Sequence, residues 1–324
     1  MVRGSADGHA ATILGGMARE DVIALFGPTA VGKTEVALAL ARILRTHGED
    51  PVAVSADALQ VYQGLEILTG AATAAERAQL EHRLLSFLPV DAQFSAGEYA
   101  ELAHNEIDGL LAEGRRPIVV GGTGLYLRAA LANLSLRPPP LDGVRERLTE
   151  ALQRDGPEAL HALLAARAPW AAAEISRGDS HRIIRALELH EAGELEPSSG
   201  DSELWTQATR HPTLLVGLIA DRERLYAQID ARVDAMLAAG VEEEVRRASA
   251  GGRASATARK ALGFEDLLAG DIEGMKRRTR NYARRQLTWM RKLPGVFQVD
   301  VTDRGAEQVA SVIAARWLPD EAAA

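Results

Sequence analysis

A chain of 324 residues can bury a sizeable core as one large domain or two modest ones. Its net charge of −8 at pH 7 excludes a protein that coats nucleic acid over its whole surface, but not a local basic face. The absence of cysteine excludes disulfides, thiolate zinc sites and a cysteine nucleophile, and fits a cytoplasmic enzyme.

No apolar run approaches the roughly 18 residues of a membrane helix, so no membrane association is expected. The segment Ala10–Gly16 is too weakly apolar for a signal peptide. Residues 1–19 read as a flexible leader.

The first element is Val22–Phe26, a short apolar run that reads as a buried strand. Gly27-Pro28-Thr29-Ala30-Val31-Gly32-Lys33-Thr34 follows, with the spacing G-x-x-x-x-G-K-[ST]. Glu35 to Arg45 then carries a helical apolar pattern. Strand, glycine-bounded loop and helix start aim backbone N–H groups at one point, where the helix terminus adds partial positive charge. Lys33 can reach outer phosphate oxygens there, and the Thr34 hydroxyl can hold Mg²⁺. The stretch establishes a polyphosphate site without saying which polyphosphate.

Pro51–Ser55 is the second strand, followed by Ala56-Asp57-Ala58-Leu59-Gln60. Loops after strand C-termini line the ligand crevice of a doubly wound sheet, so Asp57 falls on the edge that carries the phosphate loop. It is either a base facing that site or a turn carboxylate. Thr73 to Arg83 reads as an exposed helix and Leu84–Leu88 as a further strand. Ser95 and Glu98 form a capping box that opens a helix to about Ala112.

Arg116–Val120 is the next strand, ending in Gly121-Gly122-Thr123-Gly124-Leu125-Tyr126. An ATPase has an acid here to organise Mg²⁺ and water. Two glycines and a threonine argue against an NTP-hydrolysing motor. After the proline cluster at 138–140 no strand is evident until Thr213. Val144–Leu152, Glu158–Ala166 and Ser180–Glu191 read as helices. Arg182 and Arg185 share a face of the last, and Glu196–Asp201 reads as a polar hinge.

Thr213–Ala220 returns to a strand, and Asp221 opens a long helix to about Gly240. Lys276 to Lys292 then packs eight cations into seventeen residues with no acid, and with Tyr282 and Trp289 interleaved. On a helix, Arg277, Arg280, Arg284 and Arg291 form one stripe, the footprint of phosphate-backbone binding. Val296–Asp300 is the last strand, before a terminal helix.

In order along the chain, the motifs at Gly27–Thr34, Ser55–Gly64, Val120–Tyr126, Arg182–Leu189, Asp221–Gly240, Ala261–Glu265 and Thr279–Arg291 resemble the tRNA dimethylallyltransferase family over about residues 20–300. The resemblance implies a P-loop NTPase-like α/β fold: a parallel-sheet core from 20–135 and 205–318, a tRNA-binding helical insertion at 136–204, and a tail at 319–324. It implies transfer of a dimethylallyl group from its diphosphate to N6 of adenosine 37, beside the anticodon, with Mg²⁺. Gly27, Pro28, Thr29, Ala30, Val31, Gly32, Lys33, Thr34 and Arg232 would bind the diphosphate, with Mg²⁺ at Thr34. Asp57, Thr123 and Lys33 would be catalytic.

The tRNA anticodon stem-loop would meet Asp57, Ala58, Leu59, Gln60, Thr123, Arg145, His181, Arg182, Arg185, Arg259, Arg284, Arg285, Gln286 and Arg291. A monomer is the default expectation. The chain departs from the family pattern at Ala58, where the family has Ser, at Leu68–Ala72, where the family's Lys has no counterpart, and at Arg83, where it has a second His. Two other readings stay open: a P-loop small-molecule or nucleotide kinase, and a non-catalytic RNA-binding protein with a vestigial phosphate loop.

Overall fold

The structure, a computed structural model, describes residues 20–137, 141, 143–197 and 203–318. The expected leader, the tail and most of the Glu196–Asp201 hinge lie outside the described residues.

In chain order the elements are β1 (Val22–Phe26), α1 (Lys33–Thr46), β2 (Pro51–Ser55), α2 (Glu66–Thr69), α3 (Ala74–Gln79), β3 (His82–Arg83), α4 (Ala96–Ala112), β4 (Arg116–Gly121) and α5 (Gly124–Leu131). Then come α6 (Val144–Arg167), α7 (Pro169–Glu174), α8 (Ser180–Glu191), β5 (Thr213–Ile219), α9 (Arg222–Ala238) and α10 (Val241–Ser249). The last are α11 (Phe264–Leu268), α12 (Ile272–Lys292), β6 (Phe297–Asp300) and α13 (Ala306–Trp317).

The strands form one parallel sheet in the order β3-β2-β4-β1-β5-β6. β1 lies inside it, between β4 and β5, and is apolar at every position because both of its faces are covered. Ile23 and Leu25 point into the core under α1 and α13. Val22, Ala24 and Phe26 point to the other face, into the core with α4 and α5. That alternation is the period-2 geometry of a strand.

The chain order reverses between β1 and β4, which opens a crevice at their C-terminal ends. α1 and the Gly121–Gly124 turn start from that edge. A third apolar cluster, from α2 and α9 through α12, roofs the crevice on one side.

Helices α6, α7 and α8 pack on a cluster of their own around Leu148, Leu160, Leu164, Ile183 and Leu187. The two helices expected over 144–166 run on as α6, broken at Gly156, whose φ of 82° lies ahead of Pro157.

The expected strand Leu84–Leu88 is not formed. Leu84 and Ser86 have φ of 57° and 48°, which breaks an extended ladder, and pairing shrinks to β3 and a single Tyr62–Leu88 bridge. The expected helix over 73–83 stops at Gln79, after a capping box between Thr73 and Glu76. The capping box at Ser95 forms as expected.

Candidate active site

The crevice is a cavity of about 590 Å³. The loop Thr29–Thr34 floors it, Asp57 and Gln60 come from the turn after β2, Gly121 and Gly122 from the end of β4, and Arg232 from α9. The same cavity has an apolar side made by Leu59, Leu68, Val233, Met236, Leu262 and Met275. An anion cradle therefore opens onto a hydrocarbon-sized wall.

The loop turns through Ala30 (φ 65°) and Gly32 (φ 93°), both left-handed, and this curls successive amides toward one centre. Among the described residues no acceptor is found for the amides of Ala30, Gly32, Lys33 and Thr34. The Thr29 amide is different: it donates to Oε1 of Gln286 at 2.9 Å. The Lys33 ammonium donates to the carbonyls of Gly27 (3.0 Å) and Pro28 (2.9 Å). Burial first, and then the Arg232 charge, bring its pKa down to about 8, against the opposing pull of Asp57 and Glu35.

Arg232 is also held low by burial, against the pull of Glu35, Asp57 and Glu76. Its guanidinium lies along the turn after α2 and donates to the Thr69 carbonyl at 3.4 Å. A Cβ on Gly70 would sit 1.7 Å from Arg232 Nη2, so only glycine lets the guanidinium lie there. Two partly buried cations, Lys33 and Arg232, thus line the same cavity as the free loop amides, a donor set that suits a multiply charged anion.

Asp57 forms the turn its sequence position allowed and also borders the site. Its Oδ1 accepts the Leu59 amide at 3.0 Å, an Asx turn that fixes the carboxylate, and it lines the cavity. Thr123 stands at the N-terminus of α5 but its hydroxyl caps nothing there. It lies 3.4 Å from the Tyr282 hydroxyl instead. Burial pushes Tyr282 up to about 12; Asp57 adds to the shift and Thr123 opposes it, so the phenol stays protonated as a donor.

Gln60 was expected to meet RNA. It braces the turn, its Nε2 donating to the carbonyls of Thr69 (3.3 Å) and Gly70 (3.2 Å). Ala58 and Leu59 pack partly buried against the cores on either side. Gln286, also expected on RNA, is only 4% exposed. Besides taking the Thr29 amide it donates to the Gly122 carbonyl at 2.9 Å, and so ties the phosphate loop to the glycine turn.

The basic helix α12 is divided. Lys276 pairs with Asp234, Arg278 with Asp266, and Arg280 with both oxygens of Asp230 (2.6 and 2.9 Å). These three hold α12 to its neighbours, so Arg280 leaves the expected stripe. Among the described residues no carboxylate pairs with Arg277, Arg284, Arg285, Arg291 or Lys292. Arg284 donates to the Asn281 side chain, and Arg285 lies over the Tyr282 ring at 5.5 Å. Arg284 and Arg291 also line a second cleft of about 340 Å³, with Arg222, Tyr226 and Thr288. Trp289 is a packing residue: its ring lies against Trp205, centroids 4.6 Å apart and planes tilted by 50°, and its indole fills the space a Cβ on Gly124 would need.

In the helical module, Arg145 grips the buried Glu188 with two bonds of 2.6 and 2.8 Å. Arg185 shares the same carboxylate at 3.1 Å. Arg182 and His181 are exposed at the start of α8, which Asp179 caps. Arg259 pairs with Glu265 at 2.8 Å and lies over Phe264.

Sequence pattern missed the seat of Arg232 and the inward turn of Gln286. For the second a signal existed: Thr279, Ala283, Gln286 and Met290 are spaced as one buried stripe on α12.

No helix among the described residues is long and apolar enough to cross a membrane. A family model described as IPP transferase matches residues 60–293. The tRNA dimethylallyltransferase of Kineococcus radiotolerans is 42% identical over 87% of this chain and 91% of its own length. That of Thermobifida fusca is 41% identical over 87% and 92%. The full-length tRNA isopentenylpyrophosphate transferase of Bacillus halodurans superposes with a TM-score of 0.65 at 31% identity, over 92% of this chain and 97% of its own.

Proposed function

This chain belongs to the IPP transferase family, and we propose that it moves a dimethylallyl group from dimethylallyl diphosphate to the N6 amine of adenosine 37 in tRNA. One observation carries the reading. A cradle built to neutralise a diphosphate is continuous with an apolar wall, and a carboxylate stands in the same cavity.

The free loop amides, Lys33 and Arg232 take the diphosphate. Leu59, Leu68, Met236 and Leu262 cover the five-carbon chain and keep water from the reacting carbon. The exocyclic amine is a weak nucleophile, because its lone pair is delocalised into the ring. Asp57, fixed by the Leu59 amide, accepts one N6 proton as the N6–C1 bond forms and the C1–O bond breaks. Both electrons of that bond leave with the diphosphate, and Lys33 and Arg232 meet the charge as it develops. Thr123, with the Tyr282 hydroxyl behind it, orients the base. A loop adenosine reaches this edge by leaving its stack, which costs less than it would in a duplex.

The Thr34 hydroxyl lines the cavity and has no partner among the described residues, and no cluster of three or more His, Cys, Asp or Glu side chains is found there. A single hydroxyl beside substrate phosphates is the kind of donor set that suits Mg²⁺, which keeps most of its waters. Bound at Thr34, Mg²⁺ would lower the charge of the leaving diphosphate. Arg182, Arg284, Arg285 and Arg291 supply cations for the RNA backbone on the outer surface. The work is assigned to the cytoplasm, with the protein as a monomer.

Unmodified tRNA incubated with labelled dimethylallyl diphosphate, or with γ-labelled ATP, tests the reading. Label should enter tRNA only from the prenyl donor. Phosphate transfer from ATP, with no prenylation, would overturn it.

A further inference from the structure

α2 is a single turn whose N-cap is Leu65, a residue with no side-chain acceptor to give. Its free amides are nevertheless satisfied, from 176 and 177 residues away. Glu244 of α10 accepts the Ile67 amide with Oε1 and the Leu68 amide with Oε2, each at 2.8 Å. The residue is only 4% exposed. Burying a carboxylate is costly unless charge-assisted bonds offset it, and two backbone amides at a helix start are what it finds here.

The far end of the same turn builds the seat of Arg232. The Thr69 carbonyl accepts from Arg232 and from Gln60, and Gly70 leaves room for the guanidinium. The amides held by Glu244, those of Ile67 and Leu68, directly precede that seat, within one hydrogen-bonded turn closed by Gly70 N to Ile67 O at 3.1 Å.

We propose that Glu244 is a positioning residue for the diphosphate site: it clamps α2 from outside, and through the Thr69 carbonyl and the space left at Gly70 it sets where Arg232 stands. This rests on Arg232 being a diphosphate ligand. Glu244 itself does not line the cavity. Its signature is a loss confined to the donor.

The test is a double-mutant cycle on the full chain, with KM for dimethylallyl diphosphate, KM for tRNA and inorganic diphosphate affinity measured separately. Glu244→Gln keeps one acceptor and turns an N–H toward the second amide. It should weaken donor and diphosphate about tenfold and leave the tRNA KM within about twofold. On an Arg232→Ala background the same substitution should add less than about twofold, because the group it places is gone. If Glu244→Gln does not fold, Glu244→Asp takes its place: the charge stays but the carboxylate retreats by about one carbon–carbon bond length. The same donor-selective, non-additive loss is expected.

Additive losses in the two backgrounds, or a lower Tm with an unchanged donor KM, overturn the positioning role and leave Glu244 a purely structural cap. If Arg232→Ala alone leaves donor and diphosphate affinity unchanged, the assignment of Arg232 is what has failed.

Discussion

The two sides of α12 have nearly opposite chemistry and serve opposite ends of the proposed reaction. Thr279, Tyr282 and Gln286 face the cavity, where each polar group has a defined partner. Arg277, Arg284, Arg285 and Arg291 face outward with no carboxylate among the described residues. One helix can be legible as charge and illegible as architecture, because like charges announce a surface while a buried glutamine looks like any polar residue. The inward side should act on chemistry and donor, and the outward side on RNA alone.

The comparison breaks most visibly at Asp57, the proposed base in the cavity that the inward side lines. Asp57→Ala should cut turnover by about 10²–10⁴-fold while tRNA still binds. Single-turnover rates beside tRNA retention on a filter check both halves.

Lys33 comes next, through pH. Below about 8 its ammonium is charged and draws the diphosphate; above about 8 burial leaves the free enzyme with a neutral amine. Thus kcat/KM for the donor should be flat at lower pH and fall above about 8. Lys33→Arg should remove that limb, since a guanidinium stays charged.

Gln286→Ala frees the Thr29 amide and the Gly122 carbonyl together. About tenfold should be lost from kcat/KM for the donor, with tRNA affinity kept. Outward, Arg284→Ala or Arg291→Ala should each raise the tRNA KM by about threefold, lower the salt slope by about one, and leave the donor KM unchanged.

Much of the frame could be read from the chain. β1, β2 and β4 are apolar at nearly every position because α/β packing covers both faces, and the phosphate loop carries its own spacing. Asp57 and Thr123 followed from where strands end. What could not be read was assembled across sequence distance. Arg145 carries the charge of an RNA contact, yet it neutralises Glu188 forty-three residues on. Gln60 braces Thr69 and Gly70, and Glu244 caps a turn 177 residues before it, with no local periodicity to betray either. The strand expected at Leu84–Leu88 failed because left-handed residues at 84 and 86 are a tertiary outcome, not a propensity.

The most direct test is a crystal structure of the protein with a non-reactive thiolodiphosphate analogue of the prenyl donor. Both phosphates should rest on the amides of Ala30, Gly32, Lys33 and Thr34 with the Lys33 and Arg232 side chains, the hydrocarbon against Leu59 and Met236, and C1 open toward Asp57 and Thr123. Phosphates lodged elsewhere, or a prenyl chain directed away from Asp57, would contradict the account.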